Sequence, residues 1–133
     1  MLNKFIKPVY AHCDVPCGIY ETDTMRHAAD TCLRMIEKIE ALGELDSQDK
    51  WNNFVRMVAV KEEHAQHVKD QVYLLWSDFI KPEHAERFPE LHDTIWQAAK
   101  QASVVKHSVN KTACEVLLQR IVAVDNIFRQ ANS

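Results

Sequence analysis

Seven residues near the start of the chain, His12-Cys13-Asp14-Val15-Pro16-Cys17-Gly18, set an imidazole, two thiols and a carboxylate around a proline and ahead of a glycine. Thiolates and imidazoles are ligands for soft and borderline metals. Cysteines four apart, with a proline directly before the second, suit a tight turn that carries both sulfurs to one side. A structural disulfide is disfavoured in a reducing cytosol. On residue type and spacing, three readings stay open: a metal-binding hook, a redox-active thiol pair, and a turn with no special chemistry.

Other constellations are weaker. Four-helix proteins that hold two irons use Glu-x-x-His pairs, and no glutamate in this chain has a histidine three residues on. The His-Glu-x-x-His zinc signature is absent as well. His64 and His67, beside Glu62, Glu63 and Lys69, read as a partly exposed polar helix face. Cys32 and Cys114 stand singly inside helical patterns and read as buried small apolar side chains. Trp51, Trp76 and Trp96 read as packing residues of a core or an interface.

The elements that must position the hook are helical. Two glycines and four prolines in 133 residues leave little material for the turns of an all-β fold, and the length suits one domain with its own core. A first helix begins near Thr22–Thr24, carries Met25, Ala29, Cys32, Ile36 and Ile39 at steps of three and four, and stops at Gly43. A second runs from Gln48 to Phe79 with Trp51, Val55, Val58, Ala65, Val68, Val72 and Leu75 on its core stripe, ended by Lys81-Pro82. Residues 82–88 form a connection, and Pro89 opens a third helix bearing Leu91, Ile95, Ala98, Ala102 and Val105. A fourth, after the polar residues 108–111, turns Cys114, Leu117, Leu118, Ile121, Val124 and Phe128 inward. Four amphipathic helices with short links make an all-α antiparallel four-helix bundle with an N-terminal hook.

The formal charge of −3 is modest and the basic residues are scattered, which excludes nucleic acid as a partner. No apolar stretch approaches the roughly 20 residues of a membrane helix, so a soluble protein is expected, with no membrane partner. In residues 1–11 the apolar side chains are broken by Lys4, Lys7 and Pro8, short of the apolar run of about 7–15 residues in a secretory signal. These features predict a cytoplasmic protein with a removable or floppy leader.

The segment His12-Cys13-Asp14-Val15-Pro16-Cys17-Gly18-Ile19-Tyr20 resembles the hook of the nickel-containing superoxide dismutase family. A second resemblance lies in Leu75-Trp76-Ser77-Asp78-Phe79, Lys81-Pro82 and Phe88-Pro89-Glu90-Leu91-His92, and the likeness spans nearly all of the chain after residue 11. It implies a leader, residues 1–11, removed by a protease before His12; a mature domain, residues 12–133, with the hook at 12–20; and assembly as a homohexamer. It also implies nickel ligands: the freed amino group of His12, the backbone amide nitrogen of Cys13 and the thiolates of Cys13 and Cys17, with the His12 imidazole axial to oxidised nickel. A planar set of two nitrogens and two thiolates suits Ni(II). The implied reaction takes superoxide as its substrate, releases one superoxide as dioxygen and converts another, with two protons, to hydrogen peroxide. No organic cofactor is needed. Until the leader is cut the His12 nitrogen is an amide, so the uncut chain is expected to be inactive.

Around the metal, the resemblance implies that Pro16 shapes the turn, Gly18 allows close backbone approach, Asp14 orders the hook, Tyr20 screens access and Lys81 attracts the anion. Three positions depart from the family. Where it has a glutamate on helix one, an arginine on helix two and a second tyrosine, counting along this chain reaches Ala28, His64 and Phe79. His64 is expected to replace the arginine by a hydrogen bond to His12. The rival readings are a non-enzymatic bundle that stores, delivers or senses nickel or zinc through the same hook, and a thiol oxidoreductase.

Overall fold

A computed structural model describes residues 20–132, and they fold as helices. Helix α1 spans Asp23–Ala41 and α2 spans Gln48–Leu74. The chain continues without a break into a wider π turn, Leu75–Phe79. A short α3, Pro82–Arg87, precedes α4, Leu91–Lys106, and α5, Lys111–Ala131. The boundaries have local causes. Gly43 takes φ +63°, a left-handed conformation that glycine adopts without strain, just after α1. The Ser47 hydroxyl accepts the Lys50 N–H at 3.1 Å, and the Asn110 side chain accepts the Ala113 N–H at 3.0 Å, which caps α2 and α5.

The four long helices form an antiparallel bundle, and cross-helix hydrogen bonds fix its register. Thr24 meets Gln71 and Cys32 meets the Lys61 carbonyl between α1 and α2. Trp76 meets His92 and Gln66 meets Lys106 between α2 and α4. Thr22 meets Asp125 and Ala29 meets Cys114 between α1 and α5. Core residues follow the expected spacing on α1, α4 and α5, with Met25, Cys32, Leu91, Ile95, Cys114 and Leu117 among the buried side chains. Among the described residues, no helix is long and apolar enough to cross a membrane.

The start of α2 and the α2–α4 connection differ from expectation. Trp51 and Val55, placed on the core stripe from spacing, are 53% and 60% exposed, and the first buried residue of α2 is Lys61. The helix outruns the partners that would cover that stripe. Trp76 and Trp96 are also exposed, so none of the three tryptophans is a core residue. Residues 82–87 form a helical turn in place of a plain connection, and Pro89 lies in the turn before α4. The reason lies at Lys81, which is extended, as the residue before a proline prefers. The Lys81 N–H donates to His84 Nδ1 at 3.0 Å, which closes the first turn after Pro82.

Lys61 is 1% exposed. Its Nζ donates to the carbonyl oxygens of Val105 at 2.9 Å, Lys106 at 2.8 Å and Ser108 at 2.6 Å. Each ammonium N–H thus meets an acceptor at the C-terminal end of α4, where unpaired carbonyls and the helix dipole favour a cation. Burial pulls the lysine pKa below its ordinary value, while the neighbouring Glu62 carboxylate pulls against that. Lys61→Met keeps the apolar stem but removes the donor. We expect it to lower unfolding stability by about 1–3 kcal/mol, the cost of leaving a buried polar group unsatisfied, measured by urea titration; an unchanged midpoint would show that water replaces the ammonium without loss.

Candidate metal centre

Tyr20, the last residue of the hook segment, is where the described chain begins. Its ring lies 5.8 Å from that of Phe79, which stacks on His84 at 5.2 Å and tilts against Phe128 at 5.0 Å. These aromatics line a cavity of about 220 Å³ at one end of the bundle, with Lys81 and Asp78 on its wall. The π turn contributes to this arrangement. Ile80 N–H bonds back five residues to Leu75 O at 3.2 Å, and widened turns of this kind recur at functional sites. Tyr20 and Lys81, singled out from sequence, therefore share one cavity.

The two residues after Tyr20 are tied to α5. The Arg129 guanidinium donates Nη1 to Glu21 Oε2 at 3.2 Å and Nη2 to Glu21 Oε1. Its Nε donates to Asp125 at 3.1 Å. Thr22, 2% exposed, donates its hydroxyl to Asp125, and its backbone N–H donates to Glu21 at 2.8 Å. The exit of the hook is thereby pinned to the last turns of α5. Sequence reading missed Glu21, Thr22, Asp125, Arg129 and His84. The available signals were the i, i+4 pair Asp125 and Arg129 on one helix and the placing of His84 three residues after Lys81.

The Thr22 N–H, helped by Arg129, holds the Glu21 carboxyl below its ordinary pKa. Desolvation acts in the opposite sense on the two single cysteines. It pushes the Cys32 thiol up to about 12 and the Cys114 thiol up to about 11. Their Sγ atoms point to the carbonyls of Lys61 and Ala29. Protonated, buried thiols of this kind are core side chains, as their spacing predicted.

His12, Cys13, Asp14, Pro16, Cys17 and Gly18, with the leader, lie outside the described residues. Among the described residues, no group of three or more His, Cys, Asp or Glu side chains could hold a metal ion. By residue type, the imidazole of His12 and the thiols of Cys13 and Cys17 offer the mixed nitrogen and sulfur chemistry that nickel accepts. His64 sits on α2 with its Nδ1 at 2.8 Å from Val60 O. It is roughly 20 Å along the helix from Phe79, at 1.5 Å per residue. The α1–α2 register puts Ala28 level with the His64–His67 turn, so these two positions share one height of the bundle.

Comparisons with known proteins converge. Residues 7–132 match the family model for nickel-containing superoxide dismutase. The superoxide dismutase [Ni] of Streptomyces seoulensis is 35% identical over 131 residues, covering 96% of this chain and 95% of the relative. That of Streptomyces coelicolor (strain ATCC BAA-471 / A3(2) / M145) is 34% identical with the same coverage. Among solved structures, a native nickel superoxide dismutase superposes with a TM-score of 0.81 at 32% identity, over 92% of this chain and 100% of the other. One with nickel ligation corresponding to the oxidised state gives 0.81 at 33% identity, over 91% and 98%.

The anchor below the hook should respond to acid. A carboxylate whose folded pKa is depressed stabilises the fold above its unfolded value, near 4.5 here, and that contribution fades as pH falls through the folded value. Glu21→Gln should therefore lower the thermal midpoint at neutral pH, and the gap from the parent should close in acid below that range. A gap that stays constant down the whole pH series would mean that the carboxylate charge is not what holds Arg129.

Proposed function

The chain belongs to the nickel-containing superoxide dismutase family, and from that membership we propose that its active form begins at His12, residues 1–11 being a leader and residues 12–133 the mature domain. Its reaction is the dismutation of superoxide to dioxygen and hydrogen peroxide, and its cofactor is nickel. A difference in coverage supports the processing. The curated relative aligns over 96% of this chain, more than residues 12–133 supply, whereas the native solved structure is covered in full by 92% of it, the share left once residues 1–11 are set aside.

His12, Cys13 and Cys17 are the residues to hold the metal. When bound, nickel supplies one-electron exchange between its divalent and trivalent states. What the chain contributes begins with cleavage, which turns the amide nitrogen of His12 into an amine with a lone pair to donate. Asp14, Pro16 and Gly18 shape and order the turn between the thiolates. Tyr20, held against Phe79, narrows the approach. Lys81, exposed on the cavity wall, draws the superoxide anion inward.

His64 is the proposed acceptor for the His12 ring. Its Nδ1–H is given to Val60 O, which leaves the Nε2 lone pair to accept a hydrogen bond and steady the imidazole. We extend the reading to a homohexamer working in the cytoplasm after an endoprotease has acted, supported by a leader without the apolar run of an export signal.

The test is a chain beginning at His12, loaded with Ni(II), and assayed by stopped-flow for superoxide consumption, with nickel content and the unpaired-electron signal after oxidation as separate readouts. It should bind nickel, show the signal and turn over, while the chain that starts at Met1 does none of these. Full activity in native protein that retains residues 1–11 would overturn the proposal. Cys13→Ser and Cys17→Ser should each abolish activity and the thiolate-to-nickel absorption, since each removes a sulfur donor; survival of both signals in either variant would remove that cysteine from the ligand set.

A further inference from the structure

Helix α2 carries two apolar surfaces that the described chain leaves bare. The first is on an arm. Lys61 marks the level at which α4 ends, and Cys114, near the start of α5, stands level with Ala29. Beyond those points α1 and α2 run on together, past the ends of α4 and α5, for about 20 Å at 1.5 Å per residue. On this arm Trp51 and Val55 are exposed and Val58 is half-buried. The second is a cleft of about 330 Å³ lined by Tyr73, Trp76, His92, Ile95 and Trp96. Trp76 already gives its N–H to His92 at 2.9 Å, so what the cleft offers is aromatic and aliphatic surface.

Both surfaces lie on one stripe. Trp51, Val55 and Val58 at one end and Tyr73 and Trp76 at the other are joined by Glu62, Gln66 and Lys69, all at steps of three or four. Among the described residues neither Glu62 nor Lys69 is in a salt bridge. The stripe is complementary to itself when reversed. Two copies of α2 laid antiparallel, with Trp51 facing Trp76, bring Val55 opposite Tyr73. They also put Glu62 four residues, about 6 Å at 1.5 Å per residue, from the position facing Lys69, within reach of a lysine side chain. A parallel pairing would instead set Glu62 against Glu62 and Lys69 against Lys69.

We propose that this stripe is an isologous self-association surface. The arm of one copy seats Trp51 in the Trp76–Trp96 cleft of a second copy, the second returns the contact, and Glu62 pairs with Lys69 across the two-fold axis. The apolar ends supply the buried area and the central charges fix the antiparallel direction. The inference rests on the self-assembly proposed above for its occupant, a second copy of this chain, and it names the face. A two-fold contact of this kind is one of the two interfaces that a hexamer of dihedral symmetry requires.

Sedimentation velocity across a concentration series tests it, on the full chain and on the nickel-loaded chain from His12. Trp51→Glu and Lys69→Glu should each weaken association at least tenfold and lower the mass, with helical circular dichroism unchanged. The charge-swapped pair Glu62→Lys with Lys69→Glu should recover the parent mass, a rescue that general surface damage would not give. Parent mass retained by Trp51→Glu would overturn this face while leaving the self-assembly reading standing, and would fit a stripe covered by the chain's own N-terminal residues. A parent that stays monomeric at every concentration would overturn both.

Discussion

One buried ammonium sets where the helices stop relative to one another. Lys61 places its Nζ among three carbonyl oxygens at the end of α4. A charge taken out of water needs such acceptors, so α2 and α4 are locked at that height. From this register the rest of the molecule follows. Residues of α2 after Lys61 face a full bundle and bury Ala65, Val68 and Val72. Those before it face only α1, and their apolar side chains stay at the surface. One end of the structure becomes a closed bundle and the other an open arm.

The closed end is where the first described residues are tethered. Here the holding is polar and aromatic together: Glu21 and Thr22 are tied to α5 through Arg129 and Asp125, while Tyr20 rests on Phe79. Phe79 is in turn set by the π turn that ends α2 and by its stacking on His84. Phe79 itself brings no polar group to this wall, which Asp78 and Lys81 share.

Much of this was legible in the residues. The family resemblance is legible because it is carried by residue type and close spacing, and both are local. The helices on either side of the core are legible because one apolar stripe at a period of 3.6 residues has one way to be buried. Cys32 and Cys114 fall on those stripes, and their raised thiol pKa values reflect the same burial.

What the sequence by itself determined is therefore the family resemblance, the all-α fold, and the inward face of α1, α4 and α5. Only the tertiary structure decided how far α2 outruns its neighbours, and so why Trp51 and Val55 stand in solvent although their spacing matches that of the core residues. It also decided that Lys61 is buried, that residues 82–87 coil into a turn, and that Glu21 reaches Arg129 across the whole length of the chain. The physical reason is that periodicity reports which face of a helix is apolar, whereas burial depends on whether another helix stands opposite. That is settled by register, which contacts remote in sequence impose.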